Sequence, residues 1–70
     1  MTTTIKGIEV TDEDSFCVDE WGGEGFAVLR RRDHGPLVAV AVKPSRRQAT
    51  LLKRELSHAA WDLLHEVMFG

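Results

Sequence analysis

The chain has 70 residues, a formal net charge of −2 and one cysteine, Cys17. This length excludes a multidomain protein, and a chain this short buries too small a share of its surface to be very stable without further help. One cysteine excludes a disulfide framework and a cysteine-rich zinc site, which favours a reducing, cytoplasmic setting. We therefore expect residues 1–70 to form one small domain that self-association or a partner stabilises.

Charge is distributed unevenly along the chain. Residues 9–24 include seven acidic side chains and no basic one, whereas residues 30–54 include eight basic side chains and one acidic. The fold decides whether these blocks neutralise each other. No segment is long and apolar enough to span a bilayer, and residues 1–4 contain neither an apolar run nor a basic region. We expect a soluble, unsecreted protein with no membrane partner.

The first strand is predicted at about residues 3–10, where β-branched residues alternate in part with other types. Gly7 stands where a β-bulge would place Ile5 and Ile8 on compatible faces. The acidic stretch at residues 11–15 then predicts a polar turn or, alternatively, a short helical turn.

Three further strands are predicted at residues 16–21, 26–32 and 37–42. The first two are joined by the glycine-rich loop at residues 22–25, which permits positive φ at three positions. The last consists of six consecutive apolar residues, a pattern typical of a strand that is covered on both faces. These strands predict an antiparallel meander.

A long helix is predicted at about residues 46–68. Pro44 restricts Lys43 to an extended conformation, and Ser45 can cap the helix with Gln48 three residues later. Seven apolar residues fall within an arc about 100° wide on this helix. They are Ala49, Leu52, Leu56, Ala59, Ala60, Leu63 and Val67. The sequence predicts an α+β fold: a three- to four-stranded antiparallel meander with one long C-terminal helix packed on one face.

Simple closure of the hairpins predicts which side chains the helix leaves uncovered. Pairing Trp21 with Phe26, and Arg32 with Leu37, separates the two faces of the sheet, and a one-residue slip would exchange them. The helix-facing set would be Phe16, Val18, Ala27, Leu29, Val38, Val40 and Val42. The uncovered set would include Cys17, Asp19, Trp21, Phe26, Val28 and Arg30.

The uncovered set is the first candidate partner-binding surface. It is largely apolar and carries two aromatic residues and an arginine, which are typical of binding surfaces and their hot spots. The alternative is that Trp21 folds over its own hairpin and the glycine-rich loop covers Phe26.

A second candidate surface lies on the side of the helix opposite the apolar stripe, where Leu51 and Trp61 interrupt polar residues. Its members are Arg47, Leu51, Arg54, His58 and Trp61. A helix of about 24 residues spans about 36 Å, whereas strands of six residues reach about 20 Å. We therefore expect the C-terminal half of the helix to extend past the sheet and to pack on a second subunit or a partner, unless the helix bends or ends early.

No sequence motif indicates catalysis, a cofactor or a metal. Residues 22–25 lack the lysine and the following helix of a phosphate-binding P-loop. His58 and His65 are about 10 Å apart along the helix axis, too far to bind one ion together. Cys17 has no predicted base nearby, since His34 falls in a distant turn. We expect a protein that is not an enzyme and binds no cofactor or metal.

These features favour a small interaction module: a non-enzymatic inhibitor or regulator that occupies the surface of a host protein and forms a homo-oligomer. Size and composition add the hypothesis of a phage or mobile-element origin. The alternative is a nucleic-acid-binding regulator that uses Arg30, Arg31 and Arg32 together with the arginines at the helix start, Arg46 and Arg47. The negative net charge favours the first hypothesis.

Overall fold

Five β-strands and one α-helix form the protein in a computed structural model that describes residues 1–70. The elements are β1 (Thr2–Ile5), β2 (Ile8–Thr11), β3 (Asp14–Glu20), β4 (Phe26–Arg32), β5 (Leu37–Lys43) and α1 (Arg46–Phe69). β1 and β2 form a two-stranded sheet, and β3, β4 and β5 form a three-stranded antiparallel sheet in that order. The predicted α+β fold with one long C-terminal helix is confirmed, with five strands rather than three or four.

The extra strand arises because the predicted first strand is a hairpin. Lys6 and Gly7 both have positive φ, 51° and 80°, as in a type I′ turn, whose twist matches that of the flanking strands. Ile5 and Ile8 pair directly across the turn. They do share one face, as the sequence predicts, but a tight turn at Gly7 and not a bulge places them there.

The hairpin between β3 and β4 closes one residue earlier than predicted. The Trp21 N–H donates to the carbonyl of Gly25 at 3.0 Å, and the Glu24 N–H donates to the carbonyl of Trp21 at 3.1 Å. Phe26 consequently pairs with Glu20 and not with Trp21. The predicted register is therefore wrong by one residue, which turns every side chain of β4 to the face opposite the predicted one.

A β-bulge in β5 changes the predicted faces a second time. The pairing of β4 with β5 shifts between Val28 and Leu29, and Val40 is the extra residue on β5. Val40 packs against the core, whereas Val42 lies on the other face and is 50% exposed. The prediction that both valines face the helix is thus wrong for Val42, because a bulge interrupts the alternation of side chains.

The hydrophobic core lies between α1 and one face of each sheet. The helix begins as predicted, since the Ser45 hydroxyl accepts a hydrogen bond from the Gln48 N–H at 3.3 Å. Val10 of β2 and Val28 of β4 are fully buried against the helix. The helix residues that pack there are Ala49, Leu52, Leu56, Ala60 and Leu63, with Ala59 at the edge. Val67 is the one member of the predicted stripe that the sheets leave exposed.

Candidate interaction surfaces

The face of the three-stranded sheet that points away from α1 is the first uncovered surface, and we call it the outer sheet face. Cross-strand pairing arranges its side chains in three rows. These rows are Asp19–Ala27–Val42, Cys17–Leu29–Ala39 and Ser15–Arg31–Leu37. Leu37 and Val42 are about half exposed, and Cys17 and Ala39 are also exposed, whereas Leu29 is half-buried and Ala27 is fully buried. An apolar surface with one acid and one base is therefore open to solvent.

The structure divides the first predicted binding surface between the two faces of the sheet. Cys17 and Asp19 lie on the outer sheet face, and Trp21 follows the last residue of β3. Phe26, Val28 and Arg30 lie on the face toward α1, because the β3–β4 register differs by one residue from the predicted one. Val28 is fully buried in the core. The outer sheet face takes Leu29, Arg31, Leu37 and Val42 in their place.

Phe26 and Arg30 contribute to the helix side of the sheet. The guanidinium carbon of Arg46 lies 4.8 Å from the centroid of the Phe26 ring, a cation–π contact that joins the start of α1 to β4. Arg30 is half-buried, and its Nε is enclosed without a hydrogen-bond partner. A substitution of Phe26 would therefore disturb the packing of the helix.

Trp21 is 46% exposed at the start of the glycine-rich loop. The hairpin therefore covers only part of its ring. Phe26 is half-buried, and Arg46 of the helix lies over its ring. Both aromatic residues are thus partly covered.

The second predicted surface is one continuous strip along the outward side of α1. Its members, Arg47, Leu51, Arg54, His58 and Trp61, are all exposed. Their spacing alternates between four and three residues, so they lie along one side of the helix. The structure therefore brings together the residues that the sequence assigns to this surface.

From Trp61 onward the strip continues as a row of three neighbouring rings, which we call the helix ridge: Trp61, His65 and Phe69. The centroids of Trp61 and His65 are 4.1 Å apart, and those of His65 and Phe69 are 5.4 Å apart in an edge-to-face arrangement. His65 and Phe69 are absent from the predicted site. The i, i+4 spacing that starts at Trp61 is the sequence signal that could have found them.

Only the last turns of α1 extend past the sheets, and not its whole C-terminal half as predicted, because Ala60 and Leu63 are still buried. The helix ridge reaches this overhang at His65 and Phe69, whereas Trp61 lines a cavity with Phe16 of β3. The longest dimension of the molecule is 42 Å, whereas seven-residue strands reach only about 23 Å. Val67, Met68 and Phe69 are 57%, 63% and 76% exposed. The last turn of the helix is therefore an uncovered apolar surface adjoining the ridge.

One ion pair neutralises part of the charge asymmetry. Asp14 and Arg32 are cross-strand partners, and the Arg32 guanidinium donates two hydrogen bonds to the Asp14 carboxylate at 2.8 and 3.2 Å. The Thr11 N–H donates a third at 2.8 Å. Burial alone would raise the pKa of Asp14, but these hydrogen bonds outweigh it and hold that pKa below its usual value. Glu9 also lies 3.6 Å from Arg32.

The remaining cations of the basic block have no such partner. Arg31 lies on the outer sheet face, and no carboxylate lies within 4 Å of it. The same holds for the four cations in the first half of α1, which are Arg46, Arg47, Lys53 and Arg54. Neutralisation by the acidic turn therefore reaches Arg32 but not Arg31.

The cysteine and the histidines lie at separate places in the fold. No three His, Cys, Asp or Glu side chains lie close enough together to hold a metal ion. His58 pairs with Asp62 at 3.4 Å on the exposed side of α1. Cys17 pairs across the sheet with Leu29, and His34 lies in the turn after β4 beside Asp33. His58 and Asp62 line one open cavity together with Arg54 and Glu55, whereas Cys17 and His34 lie on separate elements.

Comparisons of the chain with protein-family models, with curated proteins and with solved structures found no match. The protein has no helix that combines the length and the apolar character needed to cross a membrane. The two uncovered surfaces are the features of the molecule that bear on its function.

Proposed function

We propose that the protein is a small, non-enzymatic protein–protein interaction module, a regulator or inhibitor that acts by occupying the surface of another protein. One observation supports this proposal above all. The protein buries eight apolar residues, three of them alanines, whereas ten large apolar side chains are exposed. A monomer that exposes more large apolar side chains than it buries gains stability when a partner covers them.

The helix ridge is the surface we assign to the host partner. The rings of the helix ridge lie against one another along one exposed side of α1: Trp61, His65 and Phe69. A groove can therefore enclose them without disturbing the core. Helices that bind in grooves use apolar anchors spaced three and four residues apart. The matching partner has an apolar groove with room for two aromatic rings.

The proposal includes a cytoplasmic setting, because the single thiol, Cys17, is exposed and unpaired. The proposal also includes a phage or mobile-element origin, with a host protein as the target. This part rests on the size and composition of the chain alone. The proposal further includes self-association of the chain into a homo-oligomer.

Capture from an extract of the cells that express the protein tests this function. The wild-type chain should retain one host protein in a fixed ratio, and the purified pair should bind directly. Phe69→Gln keeps a residue that favours helix but removes the ring, and it should weaken binding at least about tenfold, as loss of a hot spot does. Val42→Gln, on the outer sheet face, is the matched control and should bind normally. No stoichiometric partner, or equal binding by Phe69→Gln, would contradict the proposal.

A second candidate function is nucleic-acid binding, which one observation favours. Arg47 and Arg54 are exposed, without an ion pair, and lie on the same side of α1 as the ridge. Duplex DNA titrated at increasing salt separates the two functions, because binding through phosphates weakens steeply as salt rises. Arg47→Glu with Arg54→Glu should abolish such binding. If the wild type does not bind DNA or RNA even at low salt, this candidate is excluded.

A further inference from the structure

The apolar sequence of β5 suits a strand covered on both faces, but the outer sheet face has no layer of protein over it. Leu37 to Val42 are six consecutive apolar residues, a run typical of strands covered on both faces. Within one chain, α1 covers only one face of β5, and Leu37 and Val42 remain 48% and 50% exposed. A second layer of protein would complete the burial of this strand.

The two charges on this face are placed symmetrically. Cys17 and Leu29 are cross-strand partners in the central row. Asp19 lies two residues from Cys17 in one direction, and Arg31 lies two residues from Leu29 in the other. Neither Asp19 nor Arg31 has an ion-pair partner within the chain. The midpoint between the acid and the base therefore falls between Cys17 and Leu29.

We propose that the outer sheet face binds a second copy of the chain, face to face, around a two-fold axis that lies in the plane of the interface, over the Cys17–Leu29 pair and at right angles to the line from Asp19 to Arg31. This axis exchanges the positions of Asp19 and Arg31, so each acid meets the partner's Arg31 and each base meets the partner's Asp19. The inference rests on the proposed function and deepens it, because it names the occupant of one of the two surfaces.

Charge and shape select a second copy as the occupant. An unrelated partner would need an acid, a base and an apolar strip at matching spacing, whereas a second copy supplies all three by symmetry. Two sheets packed face to face at about 10 Å, with their strands about 30° apart, form the β-sandwich arrangement. Helix α1 and the helix ridge then lie on the outside of the dimer, free for another partner.

The area of the outer sheet face determines how tightly we expect the dimer to bind. Three strands of seven residues cover about 15 by 23 Å, so the contact falls at the lower end of specific interfaces. We expect a reversible dimer that dissociates at micromolar concentrations. Sedimentation equilibrium from about 1 µM to about 1 mM should therefore follow the change from 7.9 kDa to twice that mass.

Charge reversal tests which surfaces meet. Asp19→Arg alone places two arginines together in each contact and should weaken the dimer at least about tenfold, and Arg31→Asp alone should do the same. The double variant restores opposite charges only between subunits, since these residues are not in contact within one chain, and it should dimerise again. Circular dichroism confirms that each variant is folded.

Two further measurements complete the test. Cys17 lies beside the axis, so its alkylation by iodoacetamide should slow as the dimer forms, and Phe69→Gln should dimerise like the wild type. A wild type that stays monomeric at about 1 mM overturns the inference, as does a dimer that survives both single reversals. A dimer lost in Phe69→Gln but retained in Asp19→Arg would overturn it too. In each case, capture of a host protein through the helix ridge would leave the proposed function standing.

Discussion

The two ends of α1 have the same amphipathic pattern and different surroundings. In the first half, Ala49 and Leu56 are fully buried against the sheets. In the last turn, Val67 is 57% exposed and Phe69 is 76% exposed. Val67 lies on the same stripe as Ala49, because 18 residues make five complete turns of a helix. The pattern thus specifies which side of the helix is apolar, and the length of the sheet determines how much of that side is buried.

This difference separates two roles in one helix. The part that lies over both sheets supplies the core, and residues there should govern stability. The part that extends past the sheets contributes little to folding and leaves its apolar side chains available for contact. Substitutions at the two ends should accordingly change different measurements.

The largest loss in the free energy of unfolding is expected from Leu56→Ala, in the covered part of the helix. Leu56 is fully buried in the core, and such truncations cost about 2 to 5 kcal/mol through lost apolar contact and the cavity left behind. Urea denaturation followed by circular dichroism measures the change. Val67→Ala is the matched control on the same stripe and should cost less than about 0.5 kcal/mol. Equal losses in the two variants would show that the overhang is packed after all.

A smaller effect is expected from Asp14→Asn. Asp14 begins β3, and its buried carboxylate holds Arg32. Removing the charge should cost about 1 to 3 kcal/mol at pH 7, because Arg32 loses a charged acceptor in a partly buried site. Urea midpoints measure it. Asp62→Asn removes an exposed carboxylate and should stay within about 0.5 kcal/mol.

The loss of stability in Asp14→Asn should depend on pH. Because the pKa of Asp14 is lower in the folded state than in the unfolded state, its stabilising contribution is present above the unfolded value of about 3.9. That contribution is lost as the pH falls through the folded value. The gap in stability between wild type and Asp14→Asn should therefore be full at pH 7 and narrow in acid. A gap that stays constant down to acid pH would mean that the ion pair does not stabilise the fold.

The sequence predicts the helix well because its signals are local. Ser45 caps the helix as expected, and the stripe from Ala49 to Leu63 is the core stripe. Turns were less predictable. Lys6 and Gly7 form a tight turn without the asparagine or aspartate that usually marks one, so two strands were predicted as one.

The candidate surface on the sheet was harder to predict, because it depends on a single residue of register. A loop one residue longer than expected, residues 21–25 instead of 22–25, turned Phe26 and Val28 toward the helix and Leu29 outward. The bulge at Val40 then left Val42 on the outer face. Glycine-rich loops close in several ways, and nothing local to the strands chooses among them. The candidate surface on the helix did not depend on register, and its residues lie together.

The smallest effect on folding is expected at the far end of the helix, where Phe69→Gln should change the free energy of unfolding by less than about 0.5 kcal/mol. Phe69 is 76% exposed, and its ring lies edge-to-face against His65 in the helix ridge. Amide hydrogen exchange sharpens the comparison with the covered half. The amides of Leu56 and Ala60 should exchange only when the protein unfolds, whereas those of Val67 and Phe69 should exchange through local fraying. Strong protection of the last turn at low protein concentration would contradict the view that this end of the helix is uncovered. Protection that appears only when a partner is added would instead locate the partner on the helix ridge.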